Sequence, residues 1–284
     1  MPERISVVIA AFNCAGCIGR ALQSLGLQSR PVDEVIVVDD GSVDSLREAV
    51  QPPVRYVRHE VNRGISAARN TGARMSTGDY LVFLDADDTL APDAIEKMLL
   101  AMQRTAASWC ITDICRIEGG HTSVLHSQPP EENRLAALLA NDFVLCGIFF
   151  RRADFEDIGM YDETLRARVD WDISIRMIEA GKPYCYVAEP LYRYCRREGS
   201  IQTGDPRNVI AGTKRVFEKH HRRLAPTAKE FSRAYGTALW VLGRMNWGAK
   251  YRCAGIYCGI ASALRERSLR RVFRFLRRKR ESRA

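Results

Sequence analysis

Tyr80-Leu81-Val82-Phe83-Leu84-Asp85-Ala86-Asp87-Asp88 is an apolar run that stops in three carboxylates within four positions. Thr77-Gly78-Asp79 ahead of it reads as a turn. Behind it, Pro92 suits the first turn of a helix, with Asp93 and Glu96 near that helix's start, where acids complement the positive end of the helix dipole. The acids therefore sit where a buried strand meets the surface. Three like charges this close repel one another unless a cation or other positive groups offset them. Hard divalent ions such as Mg2+ and Mn2+ prefer carboxylate oxygens, and Mg2+ sites commonly combine one or two carboxylates with substrate phosphates. One reading is a metal-assisted enzyme acting on a phosphorylated substrate. The other is a solvated acidic turn that caps a helix.

The flanking sequence has a strand–helix rhythm. Ile5–Ala10, Val35–Val38, Val54–Val57 and Tyr80–Leu84 are short apolar, β-branched runs. Between and after them, Ile18-Ala21-Leu22-Leu25, Ser45–Val50, Ser66–Met75 and Pro92–Met102 carry helical patterns. Such alternation predicts an α/β fold, a mostly parallel sheet with helices on both faces. In open sheets of this kind ligands sit beyond the carboxyl ends of the strands. Site-type polar residues collect at three of those ends, after Ala10-Ala11-Phe12-Asn13, at Asp39-Asp40-Gly41-Ser42 and at Asp85–Asp88. Further along, Trp109–Ile117 and His121–Leu125 read as strands joined by Gly119-Gly120. Ile148–Arg151 reads as a short strand, Asp170–Glu179 as a helix and Tyr184–Tyr194 as extended chain.

At 284 residues and 46% hydrophobic composition, the chain has enough apolar residues for a full globular core. Met1-Pro2-Glu3-Arg4 leads straight into a strand-like run, so no secretory signal is expected, and no apolar run reaches the roughly 20 residues needed to cross a bilayer. The nine cysteines are odd in number and scattered. The lone Cys14–Cys17 pair lacks the second pair or histidines that zinc needs, so reduced thiols are expected. Charge is distributed unevenly. Residues 1–206 hold 22 Lys and Arg against 30 Asp and Glu, whereas residues 207–284 hold 21 against 4. An acidic body with a basic tail suggests chemistry in the first part and attachment to an anionic surface in the second.

Taken in order, several pieces resemble the family-2 inverting glycosyltransferases of the GT-A fold. They are Ser6–Asn13, Val37–Asp44, Asn62-Arg63-Gly64 with Ala67–Asn70, Gly78–Asp88, Gly159–Glu163 and Val169–Asp172. The resemblance runs from Ile5 to about Ser200. It implies a catalytic domain over 1–206, with a nucleotide-sugar half (1–105) and an acceptor half (106–206), followed by a basic helical tail (207–284). It implies that Phe12 stacks on the nucleotide base and that the Ala10 backbone contacts it; a core aromatic is the other reading of Phe12. Asp40 would accept hydrogen bonds from the base, Asp39 would stabilise its turn, and Asp44 would start a helix. Arg69 would reach the donor or the acids, or else stand exposed on its helix. Asp85-Ala86-Asp87 matches the family's D-x-D motif, with Asp85 and Ala86 beside the nucleotide sugar and Asp87 on Mn2+ or Mg2+.

By the same resemblance Asp170 is the general base that takes the acceptor's proton. Val169 stands where relatives carry Glu, which bears on acceptor contacts at that corner. Trp171 would offer a sugar platform, or pack in the core, and Asp172 a second acceptor contact. Arg196 and Arg197 would close over the diphosphate as a lid, or belong to a surface loop. The implied partners are a nucleotide-sugar donor, a UDP-sugar first, and a sugar or lipid-linked acceptor.

In the tail, Leu269, Val272, Phe273 and Leu276 fall at helical spacing among arginines. A basic amphipathic helix of this kind lies on anionic membranes. Nucleic acid is the rival partner for such charge, but no nucleic-acid-binding motif accompanies it. The expected location is cytoplasmic, peripheral on the inner membrane face. Two rival functions remain. A nucleotidyltransferase would carry a Gly-rich basic loop after its first strand, where this chain has Ala11–Gly16. A non-catalytic sugar-nucleotide or membrane-binding module would bind without turnover.

Overall fold

The computed structural model describes residues 3–128 and 149–195, with scattered positions between 208 and 220. Arg196, Arg197 and the basic segment around Leu269–Leu276 lie outside the described residues. The chain divides into two compact units, residues 1–128 with 143–198, and residues 129–142 with 199–284. The first of these carries the sheet.

Its elements follow the predicted rhythm. They are β1 (Ile5–Ala11), α1 (Ile18–Gly26), β2 (Glu34–Asp39), α2 (Leu46–Ala49), β3 (Arg55–Arg58), α3 (Ile65–Met75) and β4 (Tyr80–Asp85), then β5 (Thr89–Leu90), α4 (Ala94–Thr105), β6 (Trp109–Glu118) and β7 (His121–Leu125). After the undescribed stretch come β8 (Phe149–Arg151), α5 (Arg152–Asp157), α6 (Val169–Glu179) and β9 (Tyr184–Cys195). One sheet joins the strands in the order β3-β2-β1-β4-β8-β6-β9-β5, with β7 paired to β6. The first four strands are parallel. β8 then runs antiparallel between β4 and β6, while β6 and β9 are again parallel.

Alternation along β1 sets the two layers. Ile5, Val7, Ile9 and Ala11 face a core completed by Ile18, Ala21 and Leu25 of α1 and by Ile95, Met98 and Met102 of α4. Full burial of each such aliphatic side chain contributes about 1.5–3 kcal/mol. On the opposite face Ile36 and Val38 pack against Ala68 of α3. There Gly72 lets the helix approach closely, since a Cβ on it would lie 2.3 Å from Val8 Cγ1. The same face continues into an aromatic cluster of Phe83, Phe150, Phe155 and Tyr161, with Trp109 stacked on Phe150.

Strand order reverses at β1, which has β2 on one side and β4 on the other. That switch point leaves a crevice at the carboxyl ends of β1 and β4, the place where open α/β sheets bind ligands.

Candidate active site

The crevice is lined by the residues that end β1, β2 and β4. Ala10 is the register partner of both Val38 and Asp85, so the first strand lies between the two acidic strand ends. Phe12, just past β1, is 46% exposed, which excludes the core reading. The turn that carries it is pinned to the one after β2. Asn13 adopts a left-handed backbone (φ 50°), its N–H donates to Ser42 Oγ (2.9 Å), and its Oδ1 accepts from Val43 N (2.9 Å). Asp44 adds to this tie by accepting from Ala15 N (2.8 Å). It fastens two loops together, and Ser45 takes the position before α2 that Asp44 was expected to fill.

Asp39 and Asp40 are both buried and both used within the protein. Asp39 accepts from Ser42 N (2.7 Å), from Arg58 (2.8 Å) and from the Tyr56 hydroxyl. Burial pushes its carboxyl up, but the Ser42, Tyr56 and Arg58 donors outweigh that and hold it below the ordinary range. Asp40 gathers the following loop: His59 Nδ1 at 2.7 Å, Arg63 N at 2.9 Å and Gly64 N at 2.7 Å. Gly64 has φ +94°, a conformation other residues rarely adopt, and it precedes the first turn of α3. Both oxygens of Asp40 thus hold the entry to α3. A base hydrogen-bonded to Asp40, as expected from the sequence, would add to these contacts rather than meet a waiting carboxylate.

Arg69 projects from α3 into the centre of the site. Its guanidinium is 2% exposed, with Nη2 2.7 Å from Asp85 Oδ1 and Nη1 2.7 Å from Asp170 Oδ1. Its carbon lies 5.0 Å from the centre of the Tyr161 ring, and the Tyr161 hydroxyl donates to Asp170 Oδ1 at 3.3 Å. Burial works against the guanidinium's charge, but Asp170, Tyr161 and Asp85 outweigh it and hold Arg69 well above its ordinary range. The exposed-arginine reading is therefore wrong, and the D-x-D acid and the candidate base share one buried cation. Asp170 sits in the first turn of α6, where the helix dipole also favours its charge.

Charge crowding at Asp85–Asp88 is relieved in two ways. Arg69 offsets Asp85, and Asp88 is fully buried, accepting from Cys195 N (2.7 Å) and from the Tyr192 hydroxyl (2.7 Å). Burial, then the neighbouring charge of Asp85, pushes the Asp88 carboxyl well up. Tyr192 also takes a hydrogen bond from Asp85 N (3.2 Å), so β9 props the motif from behind. Ala86 is buried, and Asp87 remains partly exposed between these two anchored acids. Among the described residues no group of three or more His, Cys, Asp or Glu side chains is gathered to hold a metal by itself. The donor set is the sparse one that suits a metal completed by substrate phosphates.

Trp171 and Asp172, the expected acceptor contacts, lie in the first turn of α6 beside Asp170. Trp171 is 4% exposed, and Asp172 is 0% exposed and paired with Arg176 Nε one turn on (2.8 Å). Sequence reasoning missed Asn70. It holds the Tyr161–Glu163 segment through Tyr161 O (2.9 Å), Tyr161 N (3.0 Å) and Glu163 Oε1 (3.0 Å). Its signal was its place beside Arg69. Tyr192 carried no sequence signal.

The sequence model of glycosyl transferase family 2 matches residues 6–159, more than half of the chain. The chain belongs to glycosyl transferase family 2. It is 32% identical to an uncharacterized glycosyltransferase of Haemophilus influenzae over 80% of both proteins. It is 29% identical to the succinoglycan biosynthesis protein ExoO of Rhizobium meliloti over 69% of this chain, and the match spans 62% of ExoO. Among solved structures, this family-2 glycosyltransferase superposes on the mannosyltransferase PcManGT of Pyrobaculum calidifontis, in complex with GDP-Man and Mn2+. There the TM-score is 0.63 and the identity 18%, covering 94% of this chain and 87% of that one. With S. aureus TarS 1-349 in complex with UDP-GlcNAc the TM-score is 0.61 and the identity 16%, covering 95% and 91%. Likeness at that identity shows the shared GT-A fold.

Proposed function

We propose that this family-2 glycosyltransferase moves a sugar from a nucleoside-diphosphate sugar, a UDP-sugar first, to a hydroxyl of a lipid-linked glycan in polysaccharide or glycolipid synthesis, with inversion at the anomeric carbon. The observation that carries this reading is the Arg69 bridge, which sets the donor-motif acid Asp85 and the base Asp170 on one guanidinium. The UDP-GlcNAc and GDP-Man of its fold neighbours and the succinoglycan role in ExoO's name support donor class and setting.

In this reading the base lies against Phe12 and the Ala10 backbone, and the diphosphate lies toward Asp87. Arg69 and Tyr161 both engage Oδ1 of Asp170 and hold the carboxylate in place. The acceptor hydroxyl gives its proton to that carboxylate as its own oxygen bonds to the anomeric carbon. The bond to the diphosphate breaks on the far side, and nucleoside diphosphate leaves with the electron pair. Asp87, with the diphosphate, would hold Mn2+ or Mg2+, which supplies positive charge to the leaving group. No helix among the described residues is long and apolar enough to cross a membrane. The basic segment from residue 207 is the part that would rest on a membrane surface.

Nucleotide release from a panel of UDP-, GDP- and dTDP-sugars, with Mn2+ or Mg2+, tests this. Slow hydrolysis of one donor, removed by EDTA and by Asp87→Ala, and transfer to acceptors in membrane extract, removed by Asp170→Asn, are expected. Silence with every donor, extract included, would sink the reading in favour of a binding module.

A further inference from the structure

Outside the Arg69 bridge, one buried acid on the same sheet face has no part in the chemistry above. Asp113 lies in β6 where the register with β9 shifts, between Thr112 and Ile114. Its carboxylate is buried and accepts from Ser127 N (2.9 Å), from the Tyr186 hydroxyl and from His126 Nδ1 (2.8 Å). Burial pushes the acid up, but the Tyr186, Ser127 and His126 donors outweigh it and hold Asp113 below its ordinary range. Facing an ionised carboxylate, Nδ1 carries the ring proton and Nε2 is turned outward as an acceptor. The His126 ring is 76% exposed, and among the described residues it bonds to Asp113. A buried carboxylate is costly to build, and this one secures an imidazole that contributes almost nothing to packing. The carboxylate that ties Ser127 N and the Tyr186 hydroxyl to β6 thus also orients an exposed ring.

The register locates the group. Phe150 of β8 pairs with Leu81 of β4 on one side and with Trp109 of β6 on the other. β4 and β6 run in the same direction, and Asp85 and Asp113 each lie four residues beyond these partners, toward the carboxyl ends of their strands. Trp109 and Phe83 both pack on Phe150, and alternation from them puts Asp113 and Asp85 on the same face.

We propose that His126, oriented by Asp113 and Tyr186, is an acceptor-side binding group that takes a hydrogen bond from a carbohydrate hydroxyl at Nε2. This rests on the glycosyl-transfer reading above. Charge selects the ligand class. The Asp113–His126 pair carries no net positive charge while the ring is neutral, so a phosphate or carboxylate gains nothing there and a sugar hydroxyl does. A metal would need further ligands, and none are gathered among the described residues.

The test is a titration of isotope-labelled full-length protein with methyl β-glycosides of glucose, galactose and N-acetylglucosamine. The His126 ring signal is assigned by its loss in His126→Gln. At least one glycoside is expected to shift that signal saturably. In transfer assays His126→Gln should raise the KM for the same glycoside about tenfold, the scale of one lost hydrogen bond, while the KM for the donor stays put. Asp113→Asn, which keeps the shape but loosens the ring, should give a smaller rise. No ring shift with any glycoside, or an unchanged acceptor KM, overturns the proposal. Should the protein release nucleotide from no donor, the reading of function fails, while the ring titration still decides this site by itself.

Discussion

Asn70 and Tyr161 hold each other in both directions. The Asn70 amide donates to the Tyr161 carbonyl and accepts from the Tyr161 N–H, at 2.9 and 3.0 Å in a buried setting. The clasp joins α3 to the segment leading into α6, and so joins Arg69 to Asp170. Asn70→Ala strands both backbone groups of Tyr161. A loss of about 2–4 kcal/mol is expected, since each buried unsatisfied group costs about 1–3 kcal/mol. Urea unfolding reads it, and a loss under about 0.5 kcal/mol would show that the clasp is not needed.

Arg69 serves two carboxylates through two nitrogens, which a lysine's single ammonium cannot do. Arg69→Lys is expected to keep the fold but to cut sugar transfer by about 100-fold or more, as Asp85 and Asp170 lose their common partner. Arg69→Met leaves two acids uncompensated and is expected to cost about 3–5 kcal/mol of stability. Near-normal transfer by Arg69→Lys would show that only the charge matters.

Asp87 and Asp88 are adjacent but differ in surroundings. Asp87→Ala is expected to lower metal-dependent donor hydrolysis by about 100-fold or more, because several kcal/mol of charge stabilisation is lost, with little change in Tm. Asp88→Ala removes the acceptor for Cys195 N and Tyr192 and is expected to lower Tm. Calorimetry on both variants separates the two roles, and a Tm for Asp88→Ala equal to the parent's would contradict the burial argument.

Asp39 gives a pH dependence with a definite sign. Its folded carboxyl titrates below the ordinary 3.8. It therefore contributes stability above that value, which is lost as pH falls through 3.8 and then through the lower folded value. Asp39→Asn should be less stable than the parent at neutral pH, and the gap should narrow in acid below about pH 4. Urea midpoints measured across that range test it, and a constant gap would assign the loss to packing alone.

The parallel half of the sheet was legible because its strands are apolar runs with acids at their ends. Hydrophobic pattern and strand-end chemistry agree from Ile5 to Asp88. Two elements gave no such signal. Thr89–Leu90 is too short to show alternation, and Arg152–Asp157 is a polar helix of six residues with only Phe155 buried. Phe149–Arg151 was legible as a short strand, but its antiparallel insertion between β4 and β6 was not, since composition marks a strand and not its direction. At the site, residue types were readable but their partners were not. Asp40 was legible as a site acid, yet its capture by His59, Arg63 N and Gly64 N depends on a loop closing from far along the chain. The burial of Trp171 and Asp172 was not legible, because spacing beside a candidate base does not say which way a helix face turns.

Gly72 lies one turn beyond Arg69 on α3 and lets that helix settle onto Val8 as closely as backbone allows. The spacing of Asp85 and Asp170, which Arg69 bridges one turn away, is therefore set in part by a missing methyl group, remote from anything a substrate of the proposed transfer would touch. One added carbon at position 72 is expected to move Arg69 and both acids together.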